Sequence, residues 1–241
     1  ALSEDLSGKG IKAEQTIVIN NGTLTIDAAD DAIRAEQDLT VNAGTITISA
    51  IGKAMHGTYN VVINTGVINI LASDEGIEGG WITINDGQID ITASDDGINI
   101  SEPDDIANPD LYFLYLNGGT IYVNAEGDGI DSNGSIAMSG GVVVVNGPTA
   151  SDNGAIDYDG TFTITGGYLV AVGSAGMPSA PSMSGGPGMM MGGGPGMGGR
   201  PEMPDGAQMP AGGEMPAPPD MPEGGEPPAG GQMPDGAGTT A

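Results

Sequence analysis

Apolar and polar residues alternate in short runs along the first 177 residues, and the runs return at a near-constant step. Seven glycines mark that step: Gly22, Gly44, Gly66, Gly87, Gly119, Gly141 and Gly167, most of them 21 or 22 residues apart, with two longer steps of 32 and 26. Five and three places before each glycine stand apolar residues such as Ile17 and Ile19, Leu39 and Val41, Ile82 and Ile84. Two and four places after it stand Leu24 and Ile26, Ile46 and Ile48, Ile89 and Ile91. Both runs have the period of a strand with one buried face. A third apolar column comprises Ile11, Ile33, Met55, Ile77, Ile98, Ile130, Ile156 and Met177. Three inward edges per repeat predict an all-β fold, a right-handed single-stranded parallel β-helix (a β-solenoid) of about seven to eight coils. The coils are roughly triangular and rise about 4.8 Å each. One coil alone cannot bury its apolar edges; stacking does that.

Two further columns follow from the same alignment. The glycines supply the positive φ that a corner between strands needs. Two places before them stand Asn20, Asn42, Asn64, Asn85 and Asn117, then Ser139 and Thr165. Amides stacked in register hydrogen-bond along the stack, so this column is read as structural.

Charge changes the picture. The chain carries 32 Asp+Glu against 5 Lys+Arg, a net charge of −27. This excludes nucleic acid as a partner, because phosphate must be met by cations. No apolar run approaches the roughly 20 residues of a membrane-spanning helix, so membrane insertion is not expected. With no cysteine there is neither a disulfide framework nor a thiolate metal site. No signal peptide is visible; the opening polar segment is what a mature secreted protein would show, and equally what a trimmed chain would show.

The charges are also unevenly placed. Lys9, Lys12, Arg34 and Lys53 are the only basic residues of the repeat region, and residues 54–176 contain 17 acidic residues without a Lys or Arg. Two places before the third apolar column stand Lys9, Asp31, Lys53, Glu75, Asp96 and Asp128; one place after it stand Lys12, Arg34, His56, Glu78, Asn99, Asp131 and Asp157. In the first coils opposite signs alternate and can pair along the stack. Later the column is all carboxylate or carboxamide, and like charges one coil apart repel. Hard divalent cations relieve such a stack, and Ca2+ takes six to eight oxygen ligands in flexible geometry. The expected calcium ligands are Asp74, Glu75 and Glu78 with Asp95, Asp96 and Asn99, then Asp128 and Asp131, then Asp152, Asp157 and Asp159. A merely solvated acidic edge is the alternative. His56 is read as a spacer in this column, since no second His or Cys exists to complete a zinc site.

The segments TIVINNGTLTIDAADDAI, WITINDGQIDITASDDGI and GTIYVNAEGDGIDSNGSI resemble the bacterial carbohydrate-binding β-helix family, over roughly residues 8 to 178. The same holds for GPTASDNGAIDYDGTFTITGGYLVAVGSAGM. The resemblance implies a secreted or surface calcium-binding right-handed parallel β-helix, similar in fold to pectate lyases, that binds acidic sugars such as polygalacturonate, or cellulose. It also implies calcium at Asp95, Asp96, Asp128 and Asp131. Ile51-Gly52-Lys53 departs from the acidic pair of that pattern.

Catalysis is not expected. A lyase of this fold class needs a Lys or Arg base beside its metal, and after Lys53 the repeat region has none. Outward positions of the first strand in each repeat carry Trp81 and, one coil on, Phe113 and Tyr115. These rings suit either an apolar sugar face or a protein partner. A second outward apolar patch is Tyr122, Val142, Val144, Tyr168 and Val170 on the other strand.

The chain is accordingly divided into a β-helix domain, residues 1–177, and a Gly/Pro/Met-rich tail, residues 178–241. From Glu202 the tail repeats a hexapeptide, with Met203, Met209, Met215, Met221 and Met233 in step. That spacing predicts a polyproline-II-like segment with its methionines along one edge. Two functions are expected from this reading. One is a non-catalytic extracellular, cell-surface protein that binds polysaccharide, uronate-rich polymers included, with calcium. The other is a filament or surface-layer subunit that self-associates by head-to-tail stacking of β-helices.

Overall fold

A computed structural model of the chain describes residues 8–101, 103, 112–149 and 153–173, together with the strands Ser182–Met183 and Met189–Met191. All of them belong to one unit, Ala1–Gly196. The expected hexapeptide tail, and Asp152 among the expected ligands, lie outside the described residues.

All regular structure among the described residues is β-strand, and every ladder is parallel. Three ladders run the length of the stack. The first contains Ile11–Ala13, Ile33–Ala35, the starts of Met55–Ile63 and Ile77–Ile84, Ile98–Ile100 and Ile130–Ser132, with a bridge from Ile130 to Ile156. The second contains Ile17–Ile19, Asp38–Val41, the ends of the same two long strands, Phe113–Leu116, Ser135–Met138 and Phe162–Ile164. The third runs from Thr23–Ala28 through Thr45–Ala50, Val67–Ala72, Gln88–Ala93, Thr120–Ala125 and Val142–Asn146 to Tyr168–Val172. The result is the expected β-solenoid of about seven turns. The second and third ladders continue past residue 177, because Ser182–Met183 pairs with Thr163 and Ile164 and Met189–Met191 pairs with Leu169, Val170 and Ala171.

The pattern of period two explains which side chains are inside. In the strand Thr45–Ala50, Ile46 and Ile48 are fully buried, while Thr45 is exposed and Thr47 half-exposed. Ile33, Leu39, Val41, Met55, Ile77, Ile98 and Ile130 are equally buried, so the three apolar columns meet in one continuous core. In the first coil Ile11, Ile17, Leu24 and Ile26 pack against that core but are only partly buried.

All seven marker glycines have positive φ, from 81° to 135°. Close approach adds a second constraint: a Cβ on Gly44 would lie 2.8 Å from the Gly22 carbonyl oxygen of the coil below. Beside this corner the asparagine column forms the expected ladder. Asn42, Asn64 and Asn85 each donate from Nδ2 to Oδ1 of the previous asparagine at 2.8 Å, Asn117 does so at 3.0 Å, and the Ser139 hydroxyl closes the run on Asn117 at 2.9 Å.

Candidate functional site

The corner between the third and first ladders brings the charged columns together, and its chemistry changes along the stack. In the first two coils every described cation has a carboxylate. Lys9 lies 2.5 Å from Asp30 and 3.3 Å from Asp31; Lys12 and Arg34 each lie 3.2 Å from Glu36, and Arg34 is 3.2 Å from Asp31.

The next coils hold a more buried cluster. Lys53 binds both Glu75, at 3.1 Å, and Glu78. His56 Nδ1 lies 2.8 Å from Glu78 Oε2 and donates to it, since a carboxylate can only accept. The Ser101 hydroxyl donates to the other Glu78 oxygen at 2.7 Å. Burial alone would raise the Glu78 carboxyl, but the hydrogen bonds from His56, Lys53 and Ser101 outweigh it and hold it down at about 2. Glu75 moves the other way, raised by burial and by the charge of Glu78 against the pull of Lys53. Of the first expected calcium set, Glu75 and Glu78 thus already share a cation, and Asn99 donates to Glu75 at 3.2 Å. Asp74 and Asp95 are exposed.

Beyond this cluster no lysine, arginine or histidine among the described residues reaches the column. Asp128, Asp131 and Asp157 converge, with one carboxylate oxygen of each within 4.8 Å of the others, and all three half-buried. Burial pushes Asp131 up to about 6, helped by the charges of Asp128, Asp157 and Asp159. Burial likewise raises Asp96 to about 7, against a hydrogen bond from the Asp128 backbone and with the help of Asp95, Asp131 and Asp128. Asn99 sits between Glu78 and Asp131 in the ladder register. Its Oδ1 is buried without a hydrogen-bond partner among the described residues. Three convergent carboxylates, with a spare carboxamide oxygen on the residue one register position from Asp131, are all oxygen donors, which suits a hard divalent cation such as calcium and offers nothing to a soft one.

The sequence pattern did not reveal a second task of these aspartates. Asp31 Oδ1 accepts the Lys53 backbone N–H at 3.0 Å, Asp96 Oδ1 accepts that of Asp128 at 2.7 Å, and Asp128 Oδ1 accepts that of Gly154. Each carboxylate satisfies a backbone donor of the coil above, where the chain turns and no ladder partner serves it. Space for the carboxylates comes from glycine: a Cβ on Gly52 would lie 2.6 Å from Asp31 Oδ1, and one on Gly127 2.6 Å from Asp96 Oδ1. The signal was visible as a glycine one residue before the next charged position in both coils.

The aromatic positions lie on the second ladder. Trp81 and Phe113 are register partners, half-buried and outward. Phe113 and Tyr115 stack with centroids 4.4 Å apart and planes 15° apart. Pro103 is buried beside them, so close to the backbone that a Cβ on Gly80 would meet its ring at 2.9 Å.

A family model described as "Carbohydrate-binding domain-containing protein" matches residues 1–54 and 48–174. No curated protein and no solved structure matches the chain.

Proposed function

The chain belongs to this carbohydrate-binding domain family, and from that premise we propose that it is a non-catalytic, calcium-dependent receptor for acidic polysaccharide at the cell surface. Membership itself points to a binding role. The observation that carries the finer reading is the convergence of Asp128, Asp131 and Asp157, with the unpartnered Asn99 oxygen in the adjacent register position.

These residues would hold the ion. Bound there, calcium would neutralise the column and present its remaining coordination positions to a sugar carboxylate. Trp81, Phe113 and the Tyr115 ring stacked on it would take the apolar face of a sugar, as aromatic rings in binding clefts do. An extracellular setting suits both partners, since modules outside the cell work at about 10⁻⁴–10⁻³ M calcium affinities.

The experiment is retention on immobilised polygalacturonate with and without chelator. The reading expects retention that needs calcium and falls about fivefold in Trp81→Ala, the worth of one lost ring contact. Calcium-independent retention, or none, would contradict it.

A second reading, head-to-tail assembly into filaments, draws support from the first coil. The outer edges of Ile11–Ala13, Ile17–Ile19 and Thr23–Ala28 have no partner strand among the described residues. Open edges of this kind template pairing with another chain. Particle length by electron microscopy at rising concentration tests it; a stack that never lengthens removes it.

A further inference from the structure

The outward side of the third ladder divides in two. Its early strands present Thr23, Thr25, Thr45 and Thr47, with a carboxylate at Asp27 and another later at Asp90. From Thr120–Ala125 onward the outward positions of three successive strands carry no charge at all. They present Tyr122, Val142, Tyr168, Val170 and Val172, all exposed, around a half-buried Val144. Tyr168 is the most open of them, at 56% exposure. Tyr122 pairs with Val144 and Val144 with Val170, while Val142 pairs with Tyr168, so the two tyrosines lie two coils apart and one outward row apart. By strand spacing and rise they are about 12 Å from each other on a flat sheet. Asn124 and Asn146, hydrogen-bonded at 2.5 Å, form a polar margin.

We propose that this face is a second carbohydrate-docking surface, one that takes the uncharged flat side of a neutral glycan strand without a cation. The proposal rests on the carbohydrate-binding reading above and adds a different site with a different ligand class. Charge is the first argument. In a chain of net charge −27, a block of sheet without a single ionised group is matched to an uncharged partner. Two copies of so acidic a chain would repel as they approached through it. Size is the second argument. Three strands by three outward rows cover roughly 300 Å² by strand geometry, the scale of a functional surface patch. That is well short of the roughly 800 Å² per partner that a stable protein interface buries. Chemistry is the third. Two separated rings with valines between them can meet different sugar units of one extended strand, and the phenol and amide groups can bond its hydroxyls.

The test is retention of the full chain on two insoluble neutral polymers, chitin and a linear β-glucan, with chelator present throughout. Wild type is expected to be retained on at least one. The double substitution Tyr122→Ser with Tyr168→Ser is expected to lower retention about twentyfold or more, two ring contacts' worth. Val144→Lys keeps both rings and places a charge between them, so it should also abolish retention and guards against a fold defect in the double variant. Equal retention of wild type and both variants, or no retention on either polymer, overturns the proposal. So does a sedimentation shift from dimer to monomer in the double variant with unchanged retention. Calcium-dependent capture on polygalacturonate without capture on the neutral polymers removes this site alone; failure on all polymers removes the carbohydrate reading beneath it.

Discussion

The two ends of the charged corner solve one electrostatic problem in different ways. Near the start, Lys9, Lys12, Arg34 and Lys53 stand among the carboxylates, and each described cation is paired within 4.0 Å. Further along, Asp96, Asp128, Asp131 and Asp157 occupy the same columns with no basic residue among them. The backbone is nearly the same in both places, since Asp31 in the first half and Asp96 and Asp128 in the second each accept an N–H from the coil above. The first half is therefore complete in itself. The second holds its carboxyls against their charge, at about 7 for Asp96 and about 6 for Asp131. A solenoid can thus change the character of one edge by side chain alone, without altering the coil that carries it.

The largest effect is expected at the boundary. Among the described residues Lys53 is the only lysine or arginine facing Glu75 and Glu78. Lys53→Met leaves two partly buried carboxylates together and should cost about 3 kcal/mol in denaturant unfolding. A further Glu78→Gln should recover part of that loss. If Lys53→Met is neutral, the first half is not charge-compensated in the sense argued here.

The two halves should next respond to pH with opposite signs. Glu78 is depressed from 4.5 to about 2, so its contribution is present above pH 4.5 and is lost as pH falls toward 2. Asp96 and Asp131 are raised from 3.8, so the folded chain binds more protons than the unfolded one between about pH 4 and 7. Stability must then fall as pH rises through that window. In chelator the melting temperature should peak near pH 4 and drop by about 5 °C or more toward pH 7. With calcium, which competes for the deprotonated form, the drop should shrink or vanish.

A smaller, matched effect is expected at the two glycines. Gly127→Ala places a Cβ 2.5 Å from Asp95 Oδ1 and 2.7 Å from the Asp95 carbonyl carbon, and Gly52→Ala meets Asp31 Oδ1 with the backbone at 3.1 Å. Each should cost about 1–3 kcal/mol by overpacking, Gly127→Ala the more because its nearest backbone contact is tighter. The smallest effect is at the amide ladder, where Asn64→Ala removes two side-chain hydrogen bonds and should cost about 1–2 kcal/mol.

Much of this molecule was legible from pattern. The inward columns, the seven corner glycines and the asparagine ladder follow from a period of two nested in a period of about 22, because each coil repeats the constraints of the last. The sequence also showed the pairing of Lys53 with Glu75, one repeat apart. It did not show that Lys53 reaches Glu78 as well, because side-chain reach from one column to the next is not fixed by column position. His56 and Glu78 are neighbours in one column, but the reading of His56 as a spacer passed over their hydrogen bond. The positions of Asp96 and Asp128 were legible, but their bonds to backbone N–H groups of the next coil were not; those depend on the local path of the turn. The matched glycines Gly52 and Gly127 stood in the sequence one residue before the charged position, but what they make room for needed the path of the turn.

The central claim is that the second half of the corner is completed by a cation and the first half is not. Calcium titration calorimetry on wild type, Asp131→Asn and Asp31→Asn tests it most directly. The account predicts binding at or below about millimolar calcium in wild type and in Asp31→Asn, a binding heat lost in Asp131→Asn, and a melting temperature about 10 °C lower in chelator. Absence of calcium binding by wild type at millimolar concentration, or equal binding by Asp131→Asn, would contradict it.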